Sequence, residues 1–278
     1  MFRRSAFRSL PAVLLSVCLV QSATAQTPVV QSREAAAAVR ADGAIGDWSG
    51  TATILDSRSG IEFSFQNDGR KLWILAVVKD PTTLESLEST GMTVLAGPAK
   101  GKKPFRGVLF LVRRIPAESY IYWRESQGKL LSDAEKEKIR KAGPQDDTFA
   151  FAVGARGSTQ GPLRNSREGT PPEFGFSGGP GGAVFEFEIP LDPPDLVPGG
   201  LGARPGESLR LSFAWGGAAK KILGTKSARV TPPAEQGGLS GVATPAQDFL
   251  NNFDSLSRPF RGTRKFAFAV ELKLADTR

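Results

Sequence analysis

Apolar and polar residues alternate one by one along five separate stretches of this chain. The pattern is plain in 185–189, where Phe, Phe and Ile alternate with two Glu, and in 209–215. Because successive side chains of a β-strand point to opposite faces, such alternation predicts strands with one buried and one solvated face. The other stretches are 61–66, 149–153 and 266–274. The chain is therefore predicted to be mainly β, an antiparallel, jelly-roll-like β-sandwich.

Two apolar runs and two helical segments complete the predicted elements. Residues 72–78 (LWILAVV) and 108–112 (VLFLV) are apolar on both faces, which predicts central strands covered on both sides. Ser132 and Glu135 form a capping box that predicts a helix over 132–142. A second helix is predicted over 245–256. We expect two or three short helices in all.

Glycine and proline concentrate in the connections. Residues 154–183 contain nine Gly and four Pro, which predicts a long loop without regular structure, either functional or disordered. Two shorter Gly/Pro-rich connections are predicted over 190–206 and 232–245. No internal repeat interrupts the pattern, so residues 41–278 are predicted to form a single β-sandwich domain.

The first 25 residues have the features of a cleaved signal peptide. Three Arg precede an apolar stretch over 10–20, and Ala23-Thr24-Ala25 supplies a small-x-small cleavage site. The apolar stretch is shorter than the roughly 20 residues that span a bilayer. The sequence therefore predicts a periplasmic or extracellular protein that does not span the membrane, with residues 26–40 as a linker. An uncleaved anchor, or a lipoprotein attached at Cys18, is the alternative.

The composition excludes several kinds of catalysis. The chain has no His, and its one Cys is Cys18 in the leader. Ser-His-Asp and Cys-His nucleophile systems, His-ligated zinc and His-ligated haem are therefore excluded. No catalytic residue is predicted, and the chain is not predicted to be an enzyme.

Carboxylates are the remaining candidates for chemistry or metal binding. Glu186 and Glu188 share one face of a predicted strand at about 7 Å, a separation that glycoside hydrolysis could use. Their place in an alternating strand favours a solvated face instead. No cofactor is predicted. A structural calcium ion is left open, because four acidic residues lie near predicted turns, where capping is the alternative role: Asp42, Asp47, Asp68 and Asp80.

A series of motifs resembles a known family. Residues 42–48 (DGAIGDW) are followed by 67–74 (NDGRKLWI) and later by 187–191 (FEIPL), with Asp80 and 91–94 (GMTV) between them. In this order they resemble the family 9 carbohydrate-binding modules and their DOMON-like relatives. The resemblance implies a β-sandwich that binds carbohydrate without catalysis. Within these motifs, the rings of Trp48 and Trp73 are predicted to pack against a sheet.

Aromatic residues cluster at 120–124 (YIYWR), which makes this segment the candidate ligand site. As a strand it would place Tyr120 and Tyr122 on one face and Trp123 on the other. Since only one face can be core, an aromatic ring is expected to reach a groove. Ordinary packing is the alternative. Trp215, in phase with an alternating strand, is predicted to lie in the core.

The net charge of +8 at pH 7 bears on partners. Basic residues cluster near 100–106, 220–229 and 258–265. If they converge, they would attract an acidic glycan or another anionic envelope polymer; otherwise they serve solubility. Nucleic acid is not a predicted partner. The sequence therefore predicts a secreted, non-catalytic module that binds glycan or the envelope surface. A structural or protein-interaction module of the envelope is the alternative, and a carboxylate-based glycoside hydrolase the third.

Overall fold

The computed structural model describes residues 27–35, 39–99, 106–126, 128–154, 159–163, 170–179, 182–217 and 263–277. Within these ranges the chain forms thirteen strands, three α-helices and one 3₁₀ turn. The strands build two sheets that pack as a sandwich, which confirms the predicted mainly β fold. The predicted signal peptide, the predicted helix over 245–256 and most of the three basic clusters lie outside the described residues.

The strands in chain order are β1 (Val29–Gln31), β2 (Arg33–Glu34), β3 (Thr53–Asp56), β4 (Ile61–Asn67), β5 (Lys71–Val78), β6 (Met92–Pro98), β7 (Arg106–Ile115), β8 (Gln145–Val153), β9 (Thr159–Pro162), β10 (Glu173–Gly179), β11 (Gly182–Pro190), β12 (Ser208–Gly217) and β13 (Thr263–Lys273). The first sheet has the order β1-β13-β12-β6-β7-β8-β9. The second sheet has the order β10-β11-β5-β4-β2, with β3 also paired to β4.

The predicted linker over 26–40 is wrong for its described part, because it contains two strands. β1 pairs in parallel with β13 of the first sheet, and β2 pairs in parallel with β4 of the second. Ser32, between them, donates to Asn67 and accepts from the backbone N–H of Ala275 at 2.8 Å. This segment therefore joins the two sheets, and its parallel pairings make both sheets mixed rather than purely antiparallel.

The core lies between the sheets, where the alternating strands turn their apolar sides inward. Phe63 and Phe213 face each other across it with ring centroids 4.5 Å apart, and Phe110 and Phe187 lie 4.9 Å apart. Trp215 is 1% exposed, which confirms its predicted place in the core. The predictions for 72–78 and 108–112 are also confirmed, because β5 and β7 lie inside their sheets and are buried on both faces.

Three helices lie outside the sheets: α1 (Pro81–Thr90), α2 (Ala117–Ser126) and α3 (Asp133–Ala142). α3 confirms the predicted helix, and Ser132 and Glu135 form its capping box. α1 was not predicted from the sequence, although Asp80 caps it by accepting from the N–H of Thr83 at 2.7 Å. None of the described helices is long and apolar enough to cross a membrane.

The predicted unstructured loop over 154–183 is wrong, since β9, β10 and the start of β11 lie in it. Phe174 and Phe176 of β10 point toward the core side, where their rings stack on those of Phe187 and Phe185 at 5.8 and 6.1 Å. Gly175, between them, leaves room for the segment at Ala41 to cross the outer side of β10. A Cβ at Gly175 would lie 2.3 Å from the Ala41 carbonyl oxygen. Glycine here permits close packing within a strand.

Candidate functional site

The aromatic segment 120–124 is helical, so the strand used to predict its faces is wrong. It belongs to α2, in which Glu118 lies in the first turn and Arg124 in the last. Residues three apart share one face of a helix. Tyr120 and Trp123 therefore lie together, and Tyr122 points elsewhere. This pairing differs from the strand interpretation, which placed Tyr120 with Tyr122.

α2 lies on the outer face of the first sheet. Trp123 is 6% exposed, and its ring packs against that of Phe149 of β8 with centroids 4.9 Å apart. Tyr120 is half-buried in the same apolar cluster. Tyr122 is also half-buried, but it does not belong to this cluster. The motif therefore anchors the helix through Trp123.

Two ion pairs hold α2 against α3. Arg140 pairs with Glu118 at 2.6 Å, and Lys136 pairs with Glu125 at 2.7 Å. The hydrogen bonds from these cations lower the pKa values of Glu118 and Glu125. Because both pairs are at the surface, their main consequence is to hold α2 and α3 together rather than to add much stability.

A cleft opens beside α2, between β8 of the first sheet and β10 of the second. It encloses about 250 Å³. Its polar lining consists of Arg124 from α2, Asp147 and Thr148 from β8, and Glu173 from β10. Trp123 and Phe174 contribute its aromatic walls. The cleft thus combines one predicted site residue, Trp123, with charged groups from three separate elements.

Asp147 is partly buried in the cleft and makes several contacts. Its Oδ1 accepts from the backbone N–H of Thr148 at 2.8 Å, and its carboxylate also accepts from the side chain of Trp123. Burial raises the pKa of Asp147, and these hydrogen bonds together with the nearby Arg124 charge oppose the increase. The Asp147 carboxyl therefore orients the Trp123 indole. The hydrogen bonds and the Arg124 charge offset only part of the cost of burying its charge in the cleft.

Glu173 begins β10 and is the cross-strand partner of Glu188 on β11. Burial raises the pKa of Glu173, the Glu188 carboxylate raises it further, and Lys71 opposes both effects. The cleft therefore has a second carboxyl whose neutral form is favoured relative to a carboxyl in water.

Arg124 completes the polar lining. Its guanidinium carbon lies 5.8 Å from the centroid of the Tyr120 ring, within the range of a cation–π contact. The Tyr120 ring therefore packs against the guanidinium of Arg124, which lines the cleft. Tyr122 is not among the residues that line it.

Asp147, Thr148 and Glu173 were not predicted as site residues, and Arg124 lay in the predicted segment 120–124 without a role of its own. A signal was present for β8, because two acidic residues, Asp146 and Asp147, lie just before its alternating apolar residues, separated from them only by Thr148. No such signal existed for Glu173, which follows a proline pair in a segment that was predicted to be unstructured.

Glu186 and Glu188 are buried on the outer face of the second sheet, which corrects the solvated face predicted for them. Glu186 is 0% exposed and accepts from the backbone N–H groups of Asp42, Gly43 and Ala44, the nearest at 2.6 Å, and from the Trp48 indole. Burial raises the pKa of Glu186, and these donors oppose the increase.

Glu188 accepts from the Trp73 indole at 3.2 Å and pairs with Lys71. Glu186 therefore fixes the covering segment, residues 42–48, whereas Glu188 fixes Trp73 and Lys71 of the neighbouring strand β5. Trp48 and Trp73 are 6% and 5% exposed, which confirms their predicted packing against a sheet.

Three of the acidic residues considered for calcium serve their own turns. Asp42 accepts from the N–H of Ala44 at 2.8 Å, Asp68 from that of Lys71 at 2.7 Å, and Asp80 caps α1. Asp47 lies in the 3₁₀ turn Gly46–Trp48. Across the described ranges no three acidic side chains come together as a metal-binding group.

The raised pKa of Asp147 predicts a pH-dependent effect of Asp147→Asn on stability. Asn keeps an oxygen that accepts from Thr148 and Trp123 but removes the buried charge. The folded chain binds a proton at Asp147 more tightly than the unfolded chain, so the ionised carboxyl lowers stability only above the unfolded pKa of about 3.9. The variant should therefore unfold at a higher temperature than wild type at about pH 8, and the difference should vanish at about pH 3. Thermal unfolding followed by circular dichroism measures it, and a less stable variant at the higher pH would contradict the prediction.

No protein-family model matches the chain, and the curated proteins give no match. Among solved structures, the chain is similar to a family 9 carbohydrate-binding module from Caldicellulosiruptor kristjanssonii in complex with glucose, at 15% identity and a TM-score of 0.34. It is also similar to a structure of such a module in complex with cellotriose, at 14% identity and a TM-score of 0.29. Each match covers 69% of this chain and 80% of the other. Both structures belong to the family that the motifs resemble, and both likenesses are distant.

Proposed function

We propose that this chain is a secreted, non-catalytic carbohydrate-binding module and that the cleft beside α2 is its binding site. The observation that supports the proposal is the convergence of Arg124, Asp147, Thr148 and Glu173 on one cleft with aromatic walls. No part of it depends on the distant structural likeness.

The chemistry of the cleft suits a sugar. Hydroxyl groups of a sugar both donate and accept hydrogen bonds, and the cleft offers carboxyl acceptors and a guanidinium donor side by side. Trp123 and Phe174 are only 6% and 7% exposed, so they line the cleft with little open ring surface and its polar groups carry the recognition. A cleft of about 250 Å³ has room for a small ligand of this kind.

A glycan-array screen of the purified chain, with calcium and again with a chelator, tests the function. The proposal predicts specific binding to at least one glycan. Binding that persists in chelator shows that calcium is not required, whereas loss of binding would show that a bound calcium ion is required. A blank array with folded protein would overturn the proposal and favour a protein-interaction module of the envelope.

Arg124→Ala tests whether the cleft is the site. Loss of a charged hydrogen bond to a sugar hydroxyl should lower the affinity for the array hit about tenfold. Arg58→Ala, an exposed arginine near the β3–β4 turn, is the matched control and should leave the affinity unchanged. Isothermal titration measures both. Equal affinity of the two variants would place the site elsewhere.

Tyr122, the remaining residue of the aromatic motif, is tested separately with Tyr122→Ala. Unchanged affinity would restrict the site to the side of α2 that carries Trp123. Reduced affinity in a folded variant would extend the site to the opposite side of the helix.

A second candidate function is glycoside hydrolysis, favoured by one observation. Asp147 and Glu173 are two carboxyls with raised pKa values in the same cleft, and hydrolysis needs an acid of this kind beside a second carboxylate. Incubating the array hit with the chain and analysing the products separates the two candidates. Release of shorter sugars that is abolished in Glu173→Gln would establish hydrolysis, and intact glycan would support binding alone.

A further inference from the structure

A second groove opens on the same side of the sandwich as the cleft. Val112 and Arg114 of β7 and Asp146 of β8 form one wall, and Phe176 and Phe185 of the second sheet form the other. The groove encloses about 160 Å³. By the alternation of their strands, these side chains belong to the core-facing sides of the two sheets. The groove is therefore a place where the interior of the sandwich is open to solvent.

Phe176 is the exposed end of a row of stacked rings. Its centroid lies 6.1 Å from that of Phe185 with an interplanar angle of 20°, and Phe185 lies 6.4 Å from Phe187 at 7°. Phe185 and Phe187 are buried, whereas Phe176 is 41% exposed. A ring fixed by stacking on the core side, with much of its surface in water, presents a rigid apolar face to a ligand.

Arg114 and Asp146 lie beside this ring as cross-strand partners on β7 and β8. Both are exposed, and neither forms an ion pair with another residue in the described ranges. The guanidinium donates hydrogen bonds and the carboxylate accepts them. The groove therefore offers a hydrogen-bond donor and an acceptor, as the cleft does, beside an aromatic ring that is open to solvent.

The groove and the cleft follow each other along the same pair of strands. Asp146 of the groove and Thr148 of the cleft lie two residues apart on one face of β8, and Phe176 follows Phe174 by two residues on β10. Two residues of a strand span about 7 Å, a length comparable to one pyranose unit. A sugar chain that lies along β8 and β10 would therefore place one unit in the cleft and the next at Phe176.

We infer that Phe176, Arg114 and Asp146 form a second sugar subsite and that the preferred ligand is an oligosaccharide lying along β8 and β10. This inference rests on the proposed function, because it extends the binding site from the cleft to the groove. Its specific consequence is that affinity increases with the length of the sugar chain and that the increase depends on Phe176.

The test is isothermal titration with the monomers to tetramers of glucose, xylose, mannose and N-acetylglucosamine. In at least one series the affinity should rise about tenfold from the monomer to the longer oligomers, as expected for one added ring contact with its hydrogen bonds. Phe176→Ala should remove most of this rise and leave the monomer affinity unchanged, and Phe176→Trp should keep it. Leu196→Ala truncates another exposed apolar side chain, outside both sites, and serves as the control.

The outcomes separate the two proposals. Monomer and tetramer of equal affinity, or a length dependence that survives in folded Phe176→Ala, would overturn the second subsite and leave the cleft as a monosaccharide site. Absence of binding to every sugar of the panel and of the array would overturn both.

Discussion

Glu186→Ala should lower the free energy of unfolding by about 3–4 kcal/mol. The substitution leaves the N–H groups of Asp42, Gly43 and Ala44 and the Trp48 indole without their buried acceptor. Each unsatisfied donor costs part of its desolvation free energy, and the covering segment loses its attachment to β11. Urea unfolding followed by circular dichroism measures the loss.

Two further variants make the Glu186 prediction specific. Glu186→Gln keeps one acceptor oxygen but presents an amide to donors, so we expect an intermediate loss of about 1–2 kcal/mol. Glu62→Ala removes a glutamate from the same outer face, where it pairs with Lys79 at the surface, and should cost less than about 0.5 kcal/mol. Equal stabilities of Glu186→Ala and Glu62→Ala would show that the buried carboxylate does not hold the segment.

Gly175→Ala should lower the free energy of unfolding by about 2–3 kcal/mol. The added Cβ would lie 2.3 Å from the Ala41 carbonyl oxygen and 2.7 Å from the carbonyl carbons of Ala41 and Asp42. These are backbone atoms that cannot rotate away, so either β10 or the crossing segment must move. Movement of the segment would also weaken its hydrogen bonds to Glu186, and movement of β10 would displace Glu173 and Phe174 in the cleft.

Gly178→Ala is the matched control for the Gly175 prediction. Gly178 lies on the same strand, and a Cβ there meets nothing within 4 Å. This substitution should change stability by less than about 0.5 kcal/mol or increase it slightly, because alanine reduces the entropy of the unfolded chain. If both alanine variants are as stable as wild type, the close approach of the segment to β10 is not a constraint on the fold.

Much of the fold could be predicted from the sequence because the core depends on alternation. Phe63, Phe187 and Trp215 all lie where the period of two placed them. The same rule failed for Glu186, because alternation shows which side of a strand faces the core but not whether another segment covers the opposite side. The Asp42–Trp48 motif was recognised as a turn, yet its partner on β11 lies far along the chain.

The candidate site was harder to predict, since its residues come together only in the folded chain. The segment 120–124 is too short for its periodicity to distinguish a strand from a helix. In the fold it is helical and packs through Trp123 against Phe149 of β8, a contact that the segment alone does not reveal. Glu173 and Phe176 lie on β10, which was not predicted as a strand because its glycines are more typical of a loop.

The most direct test of the central claim uses the four tryptophan indoles of the chain as reporters. Trp48, Trp73 and Trp215 are buried away from the cleft, whereas Trp123 lines it and its indole bonds to Asp147. In a ¹H–¹⁵N spectrum of the labelled protein, with each indole signal assigned by single substitution, titration with the array hit should shift the Trp123 signal and leave the other three in place. A bound sugar that leaves Trp123 unchanged and shifts the signal of Trp48 or Trp73 would contradict the cleft as the binding site.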